Sequence, residues 1–88
     1  MLFRSMGRQS LKTRAMIRLL ERLGFSCSSS AAHYVFRREA EVRSEKPLII
    51  PLARSREQQP VVVAYVRRQL DEAGLLAWED FERKIAEG

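Results

Sequence analysis

One side chain in this chain can both take and return a proton near neutral pH: His33, the only histidine. It stands where the polar run Ser28-Ser29-Ser30-Ala31-Ala32 gives way to the apolar and basic segment Tyr34-Val35-Phe36-Arg37-Arg38. A fixed cation near such a group suits chemistry in which negative charge builds up, and Arg37 is the first choice for that role, with Arg38 the second. Tyr34 and Phe36 alternate with His33, Val35 and Arg37. A strand here therefore puts the aromatics on one face and His33 with Arg37 on the other, an expected separation of about 7 Å along the strand. The alternative is a histidine at a surface turn with no chemical task.

Charge is unevenly placed. Residues 1–70 carry 14 of the 16 basic residues and 5 of the 11 acids, a balance of +9, while residues 71–88 carry −4. Thirteen of the cations are Arg, whose planar fork matches phosphate and whose charge does not titrate away. The basic body favours a polyanion, nucleic acid ahead of an acidic protein. Cys27 is the only cysteine, so with one His neither an internal disulfide nor a zinc site within one chain can be assembled. Cys27 reads as a small half-buried strand residue, and no cofactor is expected. No stretch approaches the roughly 20 apolar residues of a membrane span, and Met1 to Ser10 lacks the apolar centre of a signal peptide, so the cytoplasm is the expected location.

The 88 residues allow a single domain, 1–88, with 45% hydrophobic and 31% charged residues in the range of an ordinary folded chain. With Arg4 and Arg8, residues 1–9 read as a flexible basic arm. Met16, Leu19, Leu20 and Leu23 recur at helical spacing, which predicts an amphipathic helix from about Leu11 to Leu23, capped by Ser10 and ended by Gly24. Arg14, Arg18 and Arg22 form a stripe beside its apolar face, either a solvated surface or a ladder for phosphates. Three short strands follow: Phe25 to Ser28, His33 to Arg37, and Leu48-Ile49-Ile50 between Pro47 and Pro51. They are expected to form an antiparallel meander. After a polar loop, Ala53 to Gln59, Pro60 opens a second helix with Val62, Val66, Leu70 and Ala73 on one side and Gly74 as terminator. A short terminal helix over 77–86 presents Trp78, Phe81 and Ile85, a face for core or partner packing. The fold class is α+β: helix, three-stranded antiparallel sheet, helix, and a short C-terminal helix.

This order brings a family into view. Met16-Ile17-Arg18-Leu19-Leu20-Glu21-Arg22-Leu23-Gly24-Phe25 resembles the opening helix and Gly-Phe exit of the HicA mRNA interferases, the toxin halves of HicA/HicB toxin-antitoxin pairs. Ala31-Ala32-His33-Tyr34-Val35-Phe36-Arg37 is similar to their Gly-Ser-His-His-x-aromatic-basic strand, whose first His is catalytic. Leu48-Ile49-Ile50-Pro51 resembles their third strand. Gln69-Leu70-Asp71-Glu72-Ala73-Gly74-Leu75 with Phe81 resembles the close of their second helix and their tail. Ala31-Ala32 replaces Gly-Ser, Tyr34 replaces the second His, no His follows Pro51, and the loop from Glu39 to Lys46 is long; only His33 carries over as a catalytic residue.

The resemblance implies a double-stranded-RNA-binding-domain-like fold, metal-independent cleavage of mRNA, and inhibition by a HicB-like antitoxin that covers the active face. His33 is then the general acid or base, and Arg37, Arg38, Arg14, Arg18 and Arg22 are the candidate RNA contacts. Two rivals stand beside it: a non-catalytic RNA or DNA holder of the same fold, and a pure protein-interaction module.

Overall fold

The computed structural model describes residues 10–40 and 45–87. The basic arm of residues 1–9 lies outside the described residues. The fold is α+β: β1 (Leu11–Lys12), α1 (Thr13–Arg22), β2 (Ser26–Ser29), β3 (His33–Arg38), β4 (Leu48–Ala53), β5 (Glu57–Gln58), α2 (Pro60–Glu72), a 3₁₀ turn (Trp78–Asp80) and α3 (Phe81–Glu87). The expected meander is present as the antiparallel order β2-β3-β4, and β1 pairs with β5 in a separate antiparallel ribbon.

Helix α1 forms because Met16, Leu19 and Leu20 can bury one stripe completely, while Leu23 packs partly buried at its end. It stops at Gly24, which adopts φ 95°. There Gly24 N–H donates to the Glu21 carbonyl and Phe25 N–H to that of Leu20, so the last carbonyls are satisfied and Phe25 enters the core. A β-carbon at Gly24 would lie 3.3 Å from Arg38 Nε, which itself donates to the Leu23 carbonyl at 2.8 Å. Gly74 ends α2 with the same pair of bonds at φ 76°, but a β-carbon there meets nothing within 4 Å. Gly24→Ala is therefore expected to cost about 1 to 2 kcal/mol from the left-handed backbone, and more than Gly74→Ala. Chemical denaturation of the two variants side by side checks the order.

The start of α1 differs from expectation. Ser10 is not its cap; the capping position is Lys12, without a side-chain hydrogen bond, and Ser10 Oγ donates instead to Glu57 at 3.3 Å. The cause is the ribbon: Leu11 and Lys12 pair with Gln58 and Glu57, within what the sequence suggests is a plain loop. Gln58 holds this region together. It is 1% exposed, its Nε2 donates to Thr13 Oγ1 and to the Ala53 carbonyl, and its Oε1 accepts from Ala53 N–H. Thr13 Oγ1 in turn donates to the Ser55 carbonyl. Removing the amide would take a partner from buried Thr13 Oγ1 and from both partly buried backbone groups of Ala53, so Gln58→Ala is expected to lower stability by about 2 kcal/mol, read from an equilibrium denaturation curve.

Strand alternation sets the core. Phe36, Ile50 and Leu52 point inward and are fully or almost fully buried, whereas Ile49, Pro51 and Ala53 on the opposite face of β4 are exposed. Strand β4 runs through Pro51 to Ala53 rather than stopping before the proline, because an edge strand tolerates a residue without an N–H. Strand β2 is the other edge, and all four of its residues are exposed. Cys27, expected half-buried, is therefore exposed, although it lies opposite Phe36 in the register.

Helix α2 starts at Pro60 as expected, but its buried face is Val63, Val66, Arg67 and Leu70. Val62 is only partly buried and Ala73 is exposed, so the helix is rotated from the purely apolar stripe. The reason is Arg67, 7% exposed, whose Nε and Nη2 donate to the Trp78 carbonyl and whose guanidinium lies 4.3 Å from the Trp78 ring centre. That contact fastens the tail: Phe81 is buried, Ile85 is partly buried, and Arg22 Nη2 donates to the Lys84 carbonyl at 2.8 Å. Among the described residues, no helix is long and apolar enough to cross a membrane.

Candidate functional site

His33 opens β3 at the end of a tight turn stitched by Ser30. Ser30 N–H donates to the His33 carbonyl at 2.8 Å, Ser30 Oγ donates to the same oxygen at 3.3 Å, and His33 N–H donates back to Ser30 Oγ at 3.2 Å. Three bonds therefore fix the backbone beneath the imidazole. The residue is exposed, and its ring has no hydrogen-bond partner among the described residues. Its neighbours on the same strand divide as the alternation predicts, with Phe36 buried and Tyr34 half-buried against the core, and Arg37 exposed.

The arrangement of cations is different from the expected one. Arg37 is four residues along the strand, which at about 3.3 Å per residue places its Cα about 13 Å from that of His33, not 7 Å. Its Nε is held 2.7 Å from Glu39, in a pair exposed on both sides. Arg38 has the opposite parity, is half-buried, and bonds the end of α1. Arg14, Arg18 and Arg22 are exposed on α1, and Arg22 reaches over to the Lys84 carbonyl of the tail. The outward face of the sheet, in register around His33 and Arg37, carries Ser26, Ser28, Val35, Ile49, Pro51 and Ala53, so it is open but poor in guanidinium groups.

A cation that the sequence does not single out is tied to the turn that carries His33. Ala53 is the register partner of His33, so Arg54 follows immediately beside it. Arg54 Nη1 donates to the Ser30 carbonyl at 3.2 Å, in the turn that carries His33, and its guanidinium lies 4.9 Å from the Tyr34 ring centre. The signal was the unbroken apolar run Leu48-Ile49-Ile50-Pro51-Leu52-Ala53: a third strand extended through it slides Arg54 to the His33 end of the sheet. Arg56 lies two residues further on and is also exposed.

A groove of about 190 Å³ lies elsewhere, lined by Leu11, Val63, Phe81 and Ile85, with Arg67 and Glu82 at its polar side. None of the candidate residues lines it. An exposed imidazole on a turn to which a guanidinium is anchored, on an open rim rather than in a cleft, suits an extended anionic substrate better than a small molecule. Comparison with known protein families, curated proteins and solved structures finds no match for this chain.

Proposed function

We propose that this chain is a small endoribonuclease of the HicA kind, with a double-stranded-RNA-binding-domain-like fold, that cuts mRNA in the cytoplasm. The observation that carries the reading is the exposed His33 ring on a backbone fixed by Ser30, with Arg54 anchored to the same turn. RNA supplies its own nucleophile. His33 as general base takes the proton of a 2′-hydroxyl, and the oxygen attacks the adjacent phosphorus. The bond to the 5′-oxygen breaks as that oxygen takes a proton from water, which yields a 2′,3′-cyclic phosphate and a 5′-hydroxyl, after which His33 returns its proton to solvent. This route requires no metal. Charge on the phosphorane oxygens is stabilised by a guanidinium, for which Arg54, anchored to the same turn, and Arg37, on the same strand face, are the candidates.

The apolar residues Val35, Ile49, Pro51 and Ala53, on the sheet face that His33 shares, are suited to burial by a protein, in keeping with a HicB-like antitoxin that silences the site. The second reading, an RNA holder without chemistry, is favoured by the distance and ion pairing of Arg37. Incubating RNA with the purified protein in EDTA decides between them. Scission that depends on His33 supports the nuclease, and intact RNA bound by the protein supports the holder.

A further inference from the structure

We propose that the turn Arg54-Ser55-Arg56, with Lys12 and Arg14 beside it, is a phosphate track that carries an RNA strand round the His33 end of the sheet rather than across its open face. The inference deepens the nucleic-acid reading and rests on its binding half alone. Four cations from three parts of the chain meet here because of backbone pairing. The register partner of His33 is Ala53, the residue before Arg54. Thr13 N–H donates to the Arg56 carbonyl at 2.8 Å, which brings the first turn of α1, with Arg14, against the turn. Lys12 lies opposite Glu57 in the β1–β5 ribbon.

These cations are available. Lys12, Arg14 and Arg56 are exposed and make no side-chain hydrogen bond or ion pair among the described residues. Arg54 commits one Nη1 donor to Ser30 and retains the others of its five. The one carboxylate in the group, Glu57, accepts from Ser10 Oγ. By contrast, Arg37 is paired with Glu39, and Arg22 and Arg38 bond backbone carbonyls. The turn is also preformed: buried Gln58 grips Ala53 on both backbone groups, Thr13 Oγ1 donates to the Ser55 carbonyl, and Ser55 Oγ donates to the Glu57 carbonyl at 2.8 Å. A rigid cationic turn loses little conformational freedom when it binds, which favours contact with a backbone of regularly spaced charges.

The test is fluorescence anisotropy with a labelled, single-stranded 2′-O-methyl oligouridylate, which cannot be cut through its 2′-oxygen, titrated with the full chain between about 50 and 200 mM salt. The plot of log affinity against log salt is expected to become shallower by about 0.7 for each phosphate that the protein no longer neutralises, so Arg54→Ala/Arg56→Ala should flatten it by about 1.4. Arg54→Lys/Arg56→Lys keeps the charge but gives up the Ser30 bond and the Tyr34 stacking as built, and is expected to retain the wild-type slope. Arg68→Ala, an exposed cation on α2, should retain it too. A wild-type slope in the double alanine variant, or wild-type binding that ignores salt, overturns the track. Because the probe is inert to cleavage, a protein that fails to cut RNA can still pass this test, and an active nuclease can still fail it.

Discussion

His33→Ala is expected to reduce RNA cleavage by about a hundredfold to ten-thousandfold, the range of one general acid or base, while RNA affinity changes by less than about threefold. The split follows from the geometry. The ring contributes no hydrogen bond to the fold among the described residues and is exposed, so its removal leaves the turn held by the Ser30 bonds to the His33 backbone. Binding comes from guanidinium and ammonium groups that the substitution does not touch. Cleavage rates of an end-labelled RNA under single-turnover conditions, with affinity measured in parallel, separate the two quantities. Equal losses in both would assign His33 to binding, and a rate within a few fold of wild type would remove it from the chemistry.

Arg67→Ala on α2 is expected to loosen the tail, lowering stability by about 3 kcal/mol. Arg67 is 7% exposed, gives two charge-assisted bonds to the Trp78 carbonyl, lies 4.3 Å from the Trp78 ring centre and 5.4 Å from that of Phe81, and has Glu82 3.5 Å from Nη1. The Glu82 contact adds little, because that carboxylate is 61% exposed. The bonds and the stacking are what the alanine removes, together with the aliphatic stem that fills the space between α2 and the 3₁₀ turn. For a domain of this size the loss corresponds to a fall of roughly 12 to 24 °C in Tm. Trp78 is the only tryptophan, so its emission reports on this contact directly. Arg67→Lys keeps the charge without the planar fork and should recover less than half of the loss. A Tm within a few degrees of wild type for the alanine variant would mean that the tail is held without it, by Phe81, Ile85 and the Arg22 bond to the Lys84 carbonyl.

Why Arg67 was not legible in the sequence explains much of what else was missed. A search for apolar residues at helical spacing finds Val62, Val66, Leu70 and Ala73, since an arginine does not count as core. The true face is rotated because a carbonyl and two rings from eleven to fourteen residues away give the guanidinium a place to be buried. Helix α1 was legible because Met16, Leu19 and Leu20 need no such partner. Both glycine terminators were legible because the left-handed conformation is a property of the residue itself. The β1–β5 ribbon was not, since two-residue strands carry no period, and their pairing depends on Gln58 meeting Thr13 across 45 residues.

The same division holds at the site. Alternation along β3 sufficed to put His33 on the exposed side with Phe36 buried behind it. The cation tied to this turn was not legible: Arg37 shares a strand face with His33 but lies far along it, whereas Arg54 reaches the Ser30 carbonyl only because the β3–β4 register sets Ala53 opposite His33. That register rests on extending β4 past Pro51, which reads as a stop in a single strand and is tolerated at a sheet edge.

The most direct measurement compares an RNA oligonucleotide with the same oligonucleotide carrying a single 2′-deoxyribose at the position that is cut, both in EDTA with wild-type protein, followed by analysis of the new ends. The all-ribose strand should be cut to a 2′,3′-cyclic phosphate, and the substituted strand should survive at that position. Equal cutting of both strands, or a linear 3′- or 5′-phosphate as the first product, would contradict base-assisted attack by the 2′-oxygen and leave His33 without its proposed role.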